Sequence, residues 1–345
     1  AAHGFTTIEV EISGGVIQSA VPILGAMHRG AEKLFESRDY RQIMALANRH
    51  EWLASFTGEL GVALLLEREL GIEPPDLAAW LRTLLVEYHR ITSHLAFLGG
   101  FPWADAAAAT AARRCREELV EHLQSWVGTR MHTMSTVVGG LLTAAPDNWL
   151  TRTNELADDA SRVARDLGHH AAALPAGLGI IDRNAVATFA LSGPVARATG
   201  VIDNVRLEAS SLRYSQLENE ASVGHVTGDV AARMAQLTAE VEQSADLVTQ
   251  CAHRCIGRPS EPVNVLLPKV LRVPVGEYSS RNDTPLGTAY WYLVSTGDKT
   301  PQRLGLRPAS LHTVLSLAAA LPGATLVEAA MIVASMPFIA GDAER

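Results

Sequence analysis

Five long segments of this chain repeat apolar residues every three or four positions, and this period constrains the fold more than any other feature. It is the period of an amphipathic α-helix that buries one face. The segments run from about 46 to 70, 77 to 95, 104 to 127, 149 to 173 and 229 to 255. Pairs such as Pro74-Pro75 and Gly99-Gly100 separate them, as expected at helix ends. The sequence therefore predicts a mainly α protein with an elongated helical bundle core.

Two regions show the alternating polar and apolar pattern of strands instead. Residues 5–12 alternate, Gly14-Gly15 predicts a turn, and residues 16–24 return, which together predict a hairpin. Short strands are expected between 262 and 307, followed by two final helices. We expect one domain over 1–345, composed of an N-terminal β-hairpin (1–27), a helical core (28–260) and a β/α C-terminal part (261–345).

Composition excludes several classes of protein. With 48% hydrophobic and 19% charged residues, the chain is globular rather than disordered. A net charge of −8 argues against a nucleic-acid-binding surface. Because no uninterrupted apolar stretch reaches about 18 residues, we expect no membrane-spanning segment. Three cysteines fit a reducing compartment better than a disulfide framework.

Two short motifs carry the most specific signal in the sequence. They are His28-Arg29-Gly30-Ala31-Glu32-Lys33-Leu34 and Arg49-His50-Glu51-Trp52-Leu53. The first resembles a signature shared by the D subunit of respiratory complex I and the large subunit of nickel–iron hydrogenases. Further segments that resemble the same complex I family keep their order over nearly the whole chain: His3-Gly4, 90–95, 128–132, 177–181, 192–200, 303–310 and 341–345.

The metal chemistry of the hydrogenases is excluded. They bind their nickel–iron centre through one cysteine pair near the position of Arg49 to Trp52 and a second pair near the C terminus. This chain has no cysteine between Ala1 and Arg114 and none after Cys255. Cys251 and Cys255 share a helix face, but two thiolates make only half of a zinc or iron–sulfur site. We therefore expect no metal in this chain.

The resemblance implies a hydrogenase large-subunit-like fold and a D-type subunit of a membrane-associated, complex I-like NADH:quinone oxidoreductase. Such a subunit forms the quinone-binding cavity together with a small partner subunit that holds an iron–sulfur cluster. The implied partners also include other peripheral-arm subunits and membrane-embedded subunits. The implied location is peripheral, on the cytoplasmic face of the inner (cell) membrane.

The resemblance also assigns roles to individual residues. In the family, a His on the first hairpin and a Tyr on the first long helix contact the quinone head group, and an Asp near the start of a later helix supports the His. His3 matches the His and Asp105 matches the Asp, so we expect both to be catalytic. The Tyr position falls on Trp52, which we expect to bind quinone together with His3.

The resemblance places four further residues beside the cavity, behind the residues that contact quinone: His28, Arg29, Glu32 and Arg49. For the first three, a network of ion pairs between hairpin and helix is an equally good explanation. Arg49 precedes Trp52 by three positions, which predicts one shared helix face. There it either stabilises negative charge on a reduced cluster or forms a salt bridge to Glu51 or a neighbouring helix.

Trp52 separates the functional hypotheses. A phenol gives up a proton with a pKa of about 10, whereas an indole N–H only donates a hydrogen bond. The alternative to a quinone-reducing subunit is therefore a non-catalytic scaffold of a hydrogenase-4-like or complex I-like assembly. A third hypothesis is a relative that reduces a different carrier at the same interface.

Overall fold

The computed structural model describes residues 3–202, 204–209, 211–218 and 226–345. Its strands are β1 (Thr7–Ser13), β2 (Val16–Ile23), β3 (Thr136–Val137), β4 (Gly140–Leu141), β5 (Gly276–Thr284), β6 (Gly287–Ser295) and β7 (Arg303–Arg307). Its helices are α1 (Ala31–Glu36), α2 (Tyr40–Ala47), α3 (Ser55–Leu70), α4 (Asp76–Gly100), α5 (Ala106–Val127), α6 (Asp147–Ala171), α7 (Arg183–Phe189), α8 (Gly193–Arg197), α9 (Val230–Cys255), α10 (Ala309–Leu315), α11 (Leu317–Ala320), α12 (Leu326–Ser335) and α13 (Ala340–Ala343). Short 3-10 segments cover Trp52–Ala54, Val205–Glu208 and Tyr214–Gln216.

Four long helices form the centre of the molecule. α9 packs against α4 and α6, and α5 packs against the same two helices. Their apolar stripes meet in one hydrophobic cluster that includes Leu84, Leu156 and Val241. Asp105 and Asp229 cap α5 and α9 by accepting backbone N–H groups of the first turn. The prediction of a mainly α fold is confirmed.

Three small antiparallel sheets complete the described part of the fold. β1 pairs with β2, β3 with β4, and β6 lies between β5 and β7. The three-stranded sheet packs on α1 to α3 around a second hydrophobic cluster that contains Phe35 and Trp291. α3 approaches β6 closely at Gly61, where a Cβ atom would lie only 2.3 Å from Trp291 Nε1. The strands predicted near both ends of the chain are confirmed.

The helical segment predicted over 46–70 is interrupted. α2 ends at Ala47, a 3-10 turn covers Trp52–Ala54, and α3 starts at Ser55. The buried side chain of Asn48 holds this break, because it donates to Ser55 O at 3.3 Å and to Glu59 Oε2 at 3.1 Å. Arg49 therefore does not share a helix face with Trp52, and that prediction was wrong.

The N-terminal hairpin and the C-terminal part are joined by backbone hydrogen bonds. Ala340 N donates to His3 O at 2.7 Å, and Ile17 exchanges two bonds of 2.8 Å with Gly323 and Ala324. Both ends of the chain thus lie beside each other, and His3 is fixed by residues more than 330 positions away. No helix in the described part of the chain is long and apolar enough to cross a membrane.

Candidate functional site

His3 precedes β1 and is buried against the C-terminal segment. Its Nε2 lies 2.7 Å from Met336 O, so the neutral ring donates this N–H to the carbonyl. The ring also contacts Phe97 and Phe338, at centroid distances of 5.3 and 4.5 Å. Burial lowers the pKa of His3 to about 4, against the opposing effect of the Met336 hydrogen bond. The imidazole is therefore uncharged near neutral pH and is not a proton source there.

An apolar cavity of about 430 Å³ lies beside His3. β1 and β2 contribute Ile8, Val10 and Ile17 to its wall, and α12 contributes Leu326 and Val333. A volume of this size is typical of small-molecule sites. Trp52 does not belong to the residues that line it.

The structure does not bring Asp105 to His3. One carboxylate oxygen of Asp105 accepts the backbone N–H groups of Ala107 and Ala108 at 2.9 and 3.0 Å, and the side chain is exposed. These two hydrogen bonds lower the pKa of Asp105. It caps α5 two residues after Trp103, which lines the cavity. The expected direct support of His3 by this carboxylate is absent.

Trp52 opens the 3-10 turn between α2 and α3 and is partly buried against the main hydrophobic cluster. Arg49 beside it is exposed and donates to Ala45 O at 2.9 Å and to Asn48 Oδ1 at 3.1 Å, and it contacts Met134 Sδ at 3.3 Å. Among the described residues it forms no ion pair. The salt-bridge alternative for Arg49 is therefore wrong.

His28, Arg29 and Glu32 lie at the start of α1, next to the C-terminal end of the chain. His28 Nδ1 lies 2.7 Å from Glu344 O, and Arg29 extends towards Arg49 O at 3.5 Å. Glu32 has three partners: the backbone N–H of Leu306 at 2.9 Å, Arg345 Nε at 3.1 Å, and an ion pair with Arg303. Glu32 thus belongs to an ion-pair network, and this network joins α1 to β7 and to the C terminus.

A buried acidic cluster that the sequence did not predict includes Glu51, the residue directly before Trp52. Glu51 and Asp342 are both buried, and together with His50 they line a cavity of about 20 Å³. Glu51 Oε1 and His50 Nδ1 have no hydrogen-bond partner among the described residues. Both carboxylates were visible in the motifs, Glu51 in the segment that holds Trp52 and Asp342 in Gly341 to Arg345. The sequence offered no sign that they meet, because 291 positions separate them.

The bundle behind this cluster contains buried ion pairs. Arg90 Nε lies 3.1 Å from Glu87 and its guanidinium also pairs with Asp283 on β5. Burial raises the pKa of Glu87, but Arg206 and Arg90 outweigh it and hold the value at about 2. A second network joins Glu240 of α9 to Arg197 at 2.8 Å and to His94 at 2.9 Å. Both networks keep charges paired in the core, as burial requires.

Within the described residues, no three His, Cys, Asp or Glu side chains are arranged to hold a metal ion. Cys115, Cys251 and Cys255 are buried free thiols. Burial raises the pKa of Cys255 to about 12, so this thiol remains protonated at neutral pH. The described residues thus contain neither a set of thiolate ligands nor a cluster of carboxylates and imidazoles that could bind a metal ion.

The fold and these side chains define a mainly α protein with small antiparallel sheets, a buried His3 beside an apolar cavity, and no metal site among the described residues. The family model of the respiratory-chain NADH dehydrogenase 49 kDa subunit matches residues 105–271 and 263–345. The D 1 subunit of NADH-quinone oxidoreductase from Streptomyces coelicolor is 42% identical over 353 residues, covering 99% of this chain and 92% of the relative. The D 2 subunit from Salinispora tropica is 41% identical over 351 residues, covering 99% and 90%. The D subunit from Bacillus cytotoxicus is 29% identical over 354 residues, covering 99% and 95%.

The chain therefore belongs to the family of the complex I 49 kDa subunit, which is the D subunit of NADH-quinone oxidoreductase. It is a subunit of an oxidoreductase complex, and the family prediction made from its motifs is confirmed.

Proposed function

We propose that this chain forms one wall of a quinone-binding cavity and that an iron–sulfur partner subunit forms the other wall. The observation that carries the proposal is the placement of His3, whose buried ring borders an apolar cavity of about 430 Å³. An apolar cavity with one polar group at its edge suits a quinone, which has a flat apolar ring and carbonyl acceptors.

Two residues with exposed side chains contact Arg49 and Ser55, on either side of Trp52 in the chain, and support a partner surface there. Met131 and Met134 are 42% and 37% exposed, and Met134 touches Arg49. Exposed methionines adapt their shape to a bound partner, and they are common at such surfaces. Arg49, which forms no ion pair with any residue that the structure describes, adds a positive charge, and such a charge stabilises an electron on a nearby cluster. This surface fits the iron–sulfur subunit that the family resemblance implies.

The chain's own residues would bind and orient the quinone rather than carry electrons. The uncharged ring of His3 has one nitrogen bonded to Met336 O, and its second nitrogen is a lone-pair acceptor. The indole N–H of Trp52 is a donor for a quinone carbonyl. Asp105 stands at the start of α5 near the cavity wall, and its part in protonation remains a proposal that the substitution Asp105→Asn tests. Electrons would come from the cluster of the partner.

The wider assembly is proposed on the same grounds. A subunit of this family works with other peripheral-arm subunits and with membrane-embedded subunits, and we place it at the cytoplasmic face of the cell membrane. His28, Arg29, Glu32 and Arg49 would then fix the hairpin, α1 and the partner surface around the cavity.

The test uses the assembled complex and compares matched variants. We expect His3→Gln to raise the KM for quinone by about tenfold, which corresponds to the loss of about 1.4 kcal/mol of binding. The matched control is His312→Gln, since His312 is also a buried His with one ring nitrogen bonded to a backbone carbonyl, Phe189 O at 2.7 Å. Trp52→Phe is paired in the same way with Trp126→Phe, which removes an indole N–H from α5.

The outcomes separate the two functional hypotheses. Changes in KM confined to His3→Gln and Trp52→Phe, with normal assembly, support the quinone cavity. If neither variant changes quinone turnover beyond its control, the protein is the non-catalytic scaffold instead. Trp52 in place of the family Tyr is the observation that favours this alternative.

A further inference from the structure

The proposed site lacks an evident proton donor, although reducing a quinone to a hydroquinone consumes two protons. His3 is uncharged near neutral pH, and the indole of Trp52 does not titrate in the useful range. Asp105 is exposed and ionised. A group that still carries a proton at neutral pH must therefore be sought in the interior.

Glu51 and Asp342 are buried carboxyl groups that lie close in sequence to Trp52 and to the backbone partner of His3. Glu51 directly precedes the 3-10 turn that Trp52 opens, and the backbone N–H of Trp52 donates to His50 O at 3.0 Å. Asp342 lies in α13, two residues after Ala340, whose backbone N–H donates to His3 O. The pair therefore connects, through the backbone next to each carboxyl group, the chain segments that carry His3 and Trp52.

Two buried carboxyl groups with a shared cavity favour a common proton. Their cavity of about 20 Å³ is large enough for one water molecule, which needs two to four polar partners. Glu51 Oε1 and His50 Nδ1 are available for this water, because neither has another hydrogen-bond partner among the described residues. An uncharged imidazole both donates and accepts, so His50 can pass a proton along such a chain.

The surrounding charges favour the protonated form of the pair. Burial, and then the neighbouring Asp342, raise the pKa of Glu51 well above its ordinary value, against the Thr284 hydroxyl and Arg90, while Asp283 adds to the rise. Burial likewise raises the pKa of Asp342 to about 7, against Ser310 and Arg345. His50 itself has its pKa lowered to about 4 by burial and by Arg29 and Arg345, with Glu32 opposing, so it stays neutral.

We propose that Glu51 and Asp342 form a buried acid pair that stores an exchangeable proton and supplies it to the quinone beside Trp52. This inference rests on the proposed function. In the step itself, an O–H bond of the pair breaks and an O–H bond forms on the quinone oxygen, as the partner's iron–sulfur cluster supplies the electrons. The carboxyl group that loses the proton is left as a carboxylate. The pair then regains a proton from solvent through the bridging water and His50.

Infrared spectroscopy of the assembled complex tests the stored proton without quinone. The carbonyl stretch of a protonated carboxylic acid should be present near neutral pH, shift in heavy water, and weaken as the pH rises through the pKa of Asp342, about 7. Glu51→Gln and Asp342→Asn should each weaken or shift the band and the double variant should remove it, while the exposed controls Glu121→Gln and Asp158→Asn should leave it unchanged. Both test variants resemble the protonated side chains in shape and charge, so we expect them to fold and assemble.

Steady-state kinetics of the same variants test the delivery of the proton. We expect kcat to fall by about 100-fold in Glu51→Gln with little change in the KM for quinone, and the alkaline limb of the pH profile to be lost. Absence of the infrared band, or a band whose loss leaves kcat and the pH profile unchanged, overturns the acid pair as proton source. Failure of the quinone cavity gives a different result, since the band would persist while His3→Gln and Trp52→Phe leave the KM unchanged.

Discussion

Replacing Arg82 with methionine should destabilise the β3–β4 hairpin, and the buried contacts of Arg82 predict the size of the free-energy loss. Arg82 is buried in α4 and donates to both carboxylate oxygens of Glu67 on α3, at 2.9 and 2.7 Å. The same guanidinium donates to the carbonyls of Val137 and Gly140 at 2.8 Å each. Glu67 also accepts the backbone N–H of Gly139 at 2.6 Å. One ion pair therefore joins two helices to the β3–β4 hairpin.

The free-energy cost of Arg82→Met follows from the Glu67 carboxylate, which stays buried without its charged partner. Breaking a buried pair by removing one partner typically costs about 3–5 kcal/mol, because the other charge remains buried. If β3–β4 opens locally, its amide hydrogen exchange should accelerate by about two to three and a half orders of magnitude. The double variant Arg82→Met/Glu67→Met should recover most of this loss, since no unpaired charge remains.

Hydrogen exchange of peptides spanning residues 136–141, measured in the assembled complex, checks this prediction. Arg68→Met is the control, because its ion pair with Glu69 is on the surface and Arg68 is 54% exposed. Such pairs contribute about 1 kcal/mol at most. Acceleration below about tenfold in Arg82→Met, or equal effects of the two substitutions, would refute the reasoning.

Two further predictions concern α3. Burial raises the pKa of Glu59 to about 7, so the folded protein retains a proton that the unfolded chain releases above about pH 4.5. The free energy of unfolding of Glu59→Gln should therefore rise relative to that of the wild type between about pH 5 and 8, by at most about 3 kcal/mol. Thermal unfolding measures this difference, and a difference that does not change with pH would contradict the prediction. Gly61→Ala should destabilise by about 1–3 kcal/mol because its Cβ meets Trp291, whereas Gly100→Ala has open space; equal melting temperatures would contradict the close approach.

The long helices followed from the sequence because their apolar period is local information. α9 was expected from 229 to 255 and runs over Val230–Cys255, with Asp229 as its cap. The helix predicted over 46–70 was less predictable. Its apolar period continues through the 3-10 turn between α2 and α3. The hydrogen bonds of Asn48 to Ser55 and Glu59 fix the break between these helices, and no periodicity reveals them.

The candidate site was predictable only in part. The family motifs pointed to His3 and Trp52, but the burial that keeps His3 uncharged depends on Met336 and the C-terminal segment. Asp105 was expected to support His3, although an Asp before an alanine run is also the signature of a helix cap, which is the role it has. The pairing of Glu51 with Asp342 depends on tertiary contacts that one sequence does not encode locally.

A cryo-EM structure of the assembled complex with a bound short-chain quinone tests the central claim most directly. We expect the head group within about 4 Å of both His3 and Trp52, between this chain and the subunit that holds the iron–sulfur cluster. The cavity beside His3 should remain open to the quinone after the partner binds. A partner that fills this cavity, or a quinone bound away from both residues, would contradict the account.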